Sequence, residues 1–214
     1  MPASFIRHVL LEQVRTLGPL ARERLLAGFR NRDVEAEEAA AQEWNRLMSR
    51  PGTGDEDPAD AAEAAHEAGL ELYAALWQLE QATRNLLAAG LYHLFEQHCE
   101  MYYAKLKRLG LKRIKFSLLP GWSKLNELRL VANVTKHAEG PSAVHLRQER
   151  PDLFEDPAFR KLGVPGVSFR VSTPLAGEGL YVTEDDLVAY QRAVETFWEQ
   201  VASAPHVPRH APRS

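Results

Sequence analysis

The sequence predicts an all-α protein: an up-and-down bundle of about six helices with a short β-hairpin before the C-terminal helix. Apolar residues recur at helical spacing through the first two-thirds of the chain. Residues that favour helix starts and stops, chiefly Asp, Ser, Thr, Pro and Gly, stand at the boundaries of this pattern. Only the stretch 151–183 changes to a loop-like composition with alternating apolar residues, which indicates a loop with a β-excursion.

The N-terminal region predicts three helices. Residues 4–17 repeat apolar side chains on one side of a helix. Pro19 suits the first position of a second helix that reaches Phe29. An Ala- and Glu-rich helix follows over residues 32–49.

A turn-rich segment separates these helices from the next ones. Residues 50–58 contain two prolines, two glycines and three acids, which predicts a mobile loop. Asp57 and Pro58 form a cap and first-turn pair. The helical spacing from 58 to 109 is consistent with one long helix or with two helices that meet near residue 82.

The middle of the chain predicts a basic connection and two shorter helices. Residues 110–122 form the connection, and Ser123 is expected to cap a helix over 124–138. Gly140 and the proline that follows it end this helix. Residues 141–150 form one more short helix.

The C-terminal region predicts the hairpin and the last helix. The expected strands are 167–172 and 180–183. Thr183 and the three acids after it are typical of a helix start, and the helix is expected over 184–202. The Pro- and Arg-rich tail, 203–214, is expected to be disordered.

Composition places the chain among single-domain proteins of the cytoplasm. The 214 residues are 45% hydrophobic and 26% charged, and we assign residues 1–202 to one domain. No apolar run approaches the roughly 20 residues that span a bilayer, and Arg7 and Glu12 interrupt the apolar stretch that a signal peptide needs. The one cysteine, Cys99, cannot form an intramolecular disulfide. We therefore expect a cytoplasmic protein with no membrane partner.

The formal net charge of −3 conceals a strong asymmetry. The segment from Asp33 to Glu71 contains twelve acidic residues and two arginines, a net charge of −10. The segment from Lys105 to Lys136 contains nine basic residues and one glutamate, a net charge of +8. Such asymmetry is typical of proteins with an anionic partner. The alternative is that the two segments neutralise each other in the fold.

One helix carries a polar stripe that suits phosphate chemistry. At about 100° per residue, its polar residues fall on one narrow side, and they are Asn126, Arg129, Asn133, Lys136 and His137. A solvated face normally mixes Glu with Lys, whereas this stripe has no carboxylate. Cations suit phosphate charge and an imidazole suits proton transfer near neutral pH. The alternative is that Asn133 and His137 hydrogen-bond neighbouring loops.

The sequence of this helix, LNELRLVANVTKHAEG (125–140), resembles the signature helix of the HEPN superfamily (higher eukaryotes and prokaryotes nucleotide-binding). Its motif is an Arg, four to six residues, and a His. The segments LYHLFEQ (91–97) and TEDDLVAYQRAVETFW (183–198) resemble the flanking helices of HEPN-like bacterial proteins. Many members are dimeric, metal-independent ribonucleases of toxin–antitoxin and phage-defence systems. The resemblance implies an all-helical domain, an RNA substrate, a homodimer, and a cognate antitoxin or defence partner protein.

The resemblance also implies roles for the stripe. His137 would act as general acid or base, Arg129 would stabilise the phosphorane, Asn133 would orient the substrate and Lys136 would hold a flanking phosphate. Further candidates for substrate contacts are Asn126, Lys112, Arg113 and Lys115. No metal or cofactor is expected. Seven residues separate Arg129 from His137, which is outside the usual spacing and leaves a non-catalytic nucleic-acid- or protein-binding module as the alternative.

Overall fold

The computed structural model describes residues 5–49, 57–112, 115–157 and 179–204. These residues are predominantly helical and contain no β-strand, so the predicted all-α class is confirmed. We number the α-helices in chain order as α1 (Glu12–Leu26), α2 (Arg32–Met48), α3 (Pro58–Arg108), α4 (Trp122–His137), α5 (Pro141–Glu149) and α6 (Glu184–Ser203). Within the described ranges, no helix is both long enough and apolar enough to traverse a bilayer.

The predicted break between the first two helices is absent. A π-helical segment, Ile6–Leu11, passes directly into α1, which continues through Pro19 to Leu26. Proline removes one N–H bond from a helix interior, and α1 tolerates this loss at a half-buried position. Val14 is fully buried, which anchors the continuous helix to the core.

The stretch for which the sequence allowed one or two helices is a single helix, α3. Its 51 residues span about 76 Å at 1.5 Å per residue. The predicted start is confirmed, because the Asp57 carboxylate accepts a hydrogen bond from the Ala59 amide at 2.9 Å and Pro58 occupies the first turn. Gly69 and Gly90 lie inside the helix without ending it, since an interior glycine costs only about 1 kcal/mol relative to alanine.

The first part of α3 packs against α2, and we call the unit formed by α2 and residues 58–80 the arm. The two helices approach closely at Gly69, where an added Cβ would lie 3.0 Å from the carbonyl oxygen of Ala36. At the base of the arm, Arg32 donates a hydrogen bond to Glu80 at 2.5 Å.

The second part of α3 lies in an aromatic core that it shares with α6. The ring centroids of Phe95 and Phe197 are 5.0 Å apart, and Phe116 lies 4.7 Å from the same Phe197 ring, both edge to face. Trp198 is fully buried beside them. Leu187, Tyr190 and Val194 of α6 are buried in the same core.

The predicted β-hairpin is not supported at residues 180–183, the predicted strand that the structure describes. Residues 180–182 are buried but irregular, and the expected partner strand, 167–172, lies outside the described residues. Asn85 of α3 donates a hydrogen bond to the Leu180 carbonyl at 2.9 Å and accepts one from the Val182 amide at 3.3 Å. Side-chain groups of α3 therefore satisfy backbone groups that a neighbouring strand would otherwise satisfy.

The start of α6 is as predicted. The Thr183 side chain accepts a hydrogen bond from the Asp186 amide at 3.1 Å, and the Asp186 carboxylate accepts one from the Thr183 amide at 3.1 Å. These two bonds form a capping box. Three other predicted regions, the loop at 50–56, most of the β-excursion at 158–178 and the tail at 205–214, lie outside the described residues.

Candidate nucleic-acid interface

Helix α4 carries the polar stripe and begins two residues earlier than predicted. Gly121, with a φ of 82°, stands at its N-cap, so Ser123 does not cap it as expected. The left-handed conformation at this turn favours glycine, which starts the helix at Trp122. The helix ends at His137, and Gly140 and α5 follow.

The orientation of α4 follows from its apolar side. Leu125, Leu128, Val131 and Val134 are all at most 2% exposed. Because this side is buried in the bundle, the stripe lies on the opposite side. Asn126, Arg129 and Asn133 of the stripe are half-buried. Lys136 and His137 are exposed.

The guanidinium of Arg129 is held by the amide one turn before it. Its Nε and Nη2 groups donate to Asn126 Oδ1 at 3.1 and 2.9 Å. The other nitrogen, Nη1, has no partner in the described part of the chain. This arrangement leaves N–H donors of a fixed guanidinium available for an acceptor.

Arg129 also lies near α3. The pKa of the Tyr92 phenol is raised by burial and by the nearby charge of Glu96, and the positive charge of Arg129 opposes this rise. Arg129 is therefore within electrostatic range of Tyr92.

Asn133 connects α4 to α5. Its Nδ2 group donates to Ser142 Oγ at 3.4 Å. Such a bond between neighbouring helices is the structural role that buried amides commonly have.

The structure does not bring Arg129 and His137 together. They are eight residues apart on one helix, about 12 Å along its axis, and the Arg129 guanidinium is bonded to Asn126, on the side away from His137. His137 is exposed at the last helical position, and no described residue bonds to it. Lys136 beside it is exposed as well.

The basic connection precedes α4 in the chain. Lys112 and Lys115 are exposed and precede the helix, whereas His137 ends it. Arg113 lies outside the described residues. Lys112 and Lys115 therefore come before α4 in the chain and His137 lies at its C-terminal end. The 16 residues of α4 are about 24 Å long.

Behind the stripe lies a charged cluster that the sequence did not predict. Glu127 accepts hydrogen bonds from the Tyr190 hydroxyl and from Lys124, each at 2.8 Å, and from Arg150. Arg150 also donates to Asp186 at 3.0 Å. The sequence signal was a lone carboxylate, Glu127, on the apolar side of α4, and its partners come from distant parts of the chain.

The pKa values of Arg150 and Tyr190 are both raised, in part by their partners in this cluster. Hydrogen bonding to Asp152 and then to Asp186 raises the pKa of Arg150, against the effect of burial. Burial and the neighbouring Glu127 raise the pKa of the Tyr190 hydroxyl. The cluster therefore keeps Arg150 charged and Tyr190 protonated, and it joins α4, α6 and the end of α5.

The described residues contain neither a cluster of metal ligands nor an exposed thiol. No set of three or more His, Cys, Asp and Glu side chains in the described ranges is arranged to hold a metal ion. The Cys99 thiol is mostly buried, and burial raises its pKa to about 12.

These observations leave the residues of α4 as the basis for any functional assignment. Comparison of the chain with protein-family models, curated proteins and solved structures finds no match in any of the three.

Proposed function

We propose that the protein binds RNA along the polar stripe of α4, with the Arg129 guanidinium on a phosphate. One observation carries the proposal: Asn126 fixes the half-buried guanidinium and leaves Nη1 available. A guanidinium held in this way recognises phosphate at a smaller entropic cost than a free side chain.

The exposed cations on α4 and before it in the chain support contacts to several phosphates. Lys136 and His137 are exposed further along the stripe, and Lys112 and Lys115 are exposed beyond the start of α4. The acidic arm does not cover these side chains. RNA, rather than DNA, is proposed on the HEPN resemblance of the same helix.

The test of RNA binding compares the replacement of Arg129 in the stripe with the replacement of Arg147, which is exposed on α5. Arg129→Ala should weaken binding of a labelled single-stranded RNA by about tenfold or more, as expected for loss of one good charged contact. Arg147→Ala is the matched control, because Arg147 is exposed on α5 and already pairs with Glu139 at 2.8 Å. Fluorescence anisotropy in low salt measures both.

A salt series sharpens the same experiment. Lys136→Ala should reduce the steepness of the slope of log affinity against log salt by about 0.7, because one contact to a phosphate of the single strand is lost. The proposal fails if the unaltered protein does not bind RNA in low salt, or if Arg129→Ala and Arg147→Ala bind as it does.

A second candidate function is metal-independent cleavage of the bound RNA, which the HEPN resemblance implies. The observation that favours it is the exposed imidazole of His137, without a partner in the described structure, at the end of the same stripe. The ribose 2′-oxygen would attack the phosphorus as His137 takes the 2′-hydroxyl proton, and the P–O5′ bond would break as the leaving 5′-oxygen receives a proton, which leaves a 2′,3′-cyclic phosphate.

One experiment distinguishes RNA cleavage from RNA binding. RNA incubated with the protein in EDTA should yield 2′,3′-cyclic-phosphate ends, and His137→Ala should abolish them while RNA affinity changes only a few-fold. Binding without such ends would instead assign the non-catalytic alternative. Cleavage that survives His137→Ala would reject the role given to His137.

A further inference from the structure

Helices α1, α3 and α6 form an apolar cavity of about 200 Å³. Each helix lines it with residues that are four apart and therefore share one helix face. Leu187 of α6 is buried in this lining, whereas Leu17 of α1 and Leu86 of α3 are 49% and 45% exposed. The cavity therefore extends from the interior of the bundle to its surface.

A missing side chain on α3 explains why the three helices leave this space. Gly90 lies between Leu86 and Leu94 in the row of α3 residues that lines the cavity. A Cβ added to Gly90 would meet no atom within 4 Å. At Gly18 of α1, by contrast, an added Cβ would lie 3.1 Å from the side chain of Gln191 on α6. Gly18 therefore allows close packing, whereas Gly90 leaves open space in a leucine-rich row.

One cation, Arg22 of α1, belongs to this apolar lining. Its side chain is 23% exposed, and its Nη1 group donates to Gln191 Oε1 at 3.3 Å. Its Nε lies 3.7 Å from the exposed Glu184 carboxylate, which is too far for a hydrogen bond. Its Nη2 group has no partner among the described residues. The guanidinium is thus positioned by Gln191 and keeps donors for an anion at the cavity.

We propose that this cavity binds a medium-chain carboxylic acid, with its alkyl chain among the leucines and its carboxylate on Arg22. Small-molecule sites are typically apolar clefts with a few placed polar groups. An apolar cavity of about 150 Å³ holds a benzene molecule, so the larger cavity here accommodates a short alkyl chain. The single cation in the lining matches a single anionic head group. The site is independent of the proposed RNA binding, since it shares no residue with the stripe of α4.

Isothermal titration calorimetry of the full chain with octanoate, hexanoate and octan-1-ol tests both parts of the ligand. Octanoate should bind about 15-fold more tightly than hexanoate, because each of its two additional buried methylenes contributes a factor of about four. Octan-1-ol has the same alkyl chain without the charge and should bind about tenfold more weakly than octanoate. Arg22→Gln should reduce the affinity for octanoate to that for octan-1-ol and leave the affinity for octan-1-ol unchanged.

A second variant tests the location of the alkyl chain. Gly90→Leu places a side chain in the cavity and should abolish the binding of both octanoate and octan-1-ol. Gly28→Leu is the matched control, because Gly28 is exposed in the 3₁₀ turn Ala27–Phe29, outside the cavity lining, and an added Cβ there would also meet no atom within 4 Å. Circular dichroism checks that both variants fold.

The outcomes that would overturn the proposal are distinct. An unaltered chain that does not bind octanoate overturns it. A folded Gly90→Leu variant that binds octanoate as Gly28→Leu does overturns it as well, since the ligand then lies elsewhere. Octan-1-ol that binds as tightly as octanoate, or an Arg22→Gln variant with unchanged affinity for octanoate, rejects the carboxylate contact. This last comparison decides the proposal even if Gly90→Leu does not fold.

Discussion

At the scale of single residues, the most consequential side chain outside the stripe is Glu127. It is 9% exposed and has three donors, on Lys124, Arg150 and Tyr190. A buried carboxylate is tolerated only when charged and hydrogen-bonding partners replace its water. Glu127 therefore connects α4 to α6 and to the end of α5 through charge rather than through apolar contact.

Replacing Glu127 should destabilise the fold. Glu127→Ala is expected to lower the free energy of unfolding by about 3 kcal/mol, because Arg150 and Tyr190 lose their shared acceptor. Urea denaturation measures the change. Glu139→Ala is the control, since Glu139 pairs with Arg147 at the surface and such pairs contribute about 0–1 kcal/mol. Equal effects of the two substitutions would reject the structural role of Glu127.

The buried His98 makes stability depend on pH. Its Nε2 lies 2.9 Å from Gln13 Oε1, and burial lowers its pKa. The unfolded chain takes up a proton at about pH 6.5 while the folded chain resists it. The free energy of unfolding should therefore fall as the pH decreases through about 6.5.

His98→Gln should remove this part of the pH dependence. The carboxylates contribute equally to the pH dependence of unfolding in the unaltered chain and in His98→Gln. The difference between the two pH profiles therefore gives the contribution of His98. Urea midpoints across the acidic range provide the comparison. Parallel profiles would show that His98 does not resist protonation in the fold.

At the scale of the elements, helical spacing predicted most of what the structure shows, because the period depends only on neighbours in sequence. It failed at Pro19 and at residues 180–183. Helix α1 continues through Pro19 between the buried Val14 and Leu26, and the amides of Gln81 and Asn85 hydrogen-bond the irregular segment 180–182. The continuity of α1 at Pro19 and the irregular backbone at residues 180–182 both depend on contacts between residues that are distant in the sequence. The pattern of neighbouring residues does not predict such contacts.

The hydrogen bonds by which α3 holds residues 180–182 should contribute measurably to the stability of the fold, and Asn85 tests this. Asn85→Ala removes two bonds to the backbone of residues 180–182 and leaves buried groups unpaired, which should cost about 2–4 kcal/mol. Urea denaturation measures the loss. Gln97→Ala is the control, since Gln97 is an exposed amide on the same helix and its partner among the described residues is the nearby His93. An effect of Asn85→Ala as small as that of the control would contradict the assigned role.

At the scale of the whole molecule, the sequence predicted which polar residues share a side of α4 but not what those residues do there. The stripe depends on helix geometry alone, and among the described residues two of its members, Lys136 and His137, are exposed. The bonds of Arg129 to Asn126 and of Asn133 to Ser142 depend on rotamers and on the placement of α5. The separation of Arg129 from His137 follows from the unbroken helix between them.

The division of α3 into an arm and a core segment predicts unequal local stability within one helix. Residues 58–80 pack mainly on α2, whereas the later turns contact α1, α4 and α6 around the aromatic core. Local opening is easier where fewer buried apolar contacts must be broken. Backbone amides near residues 60–76 should therefore exchange with deuterium faster than those near 92–106, as measured by mass spectrometry of peptides. Uniform protection along α3 would instead show that arm and core open as one unit.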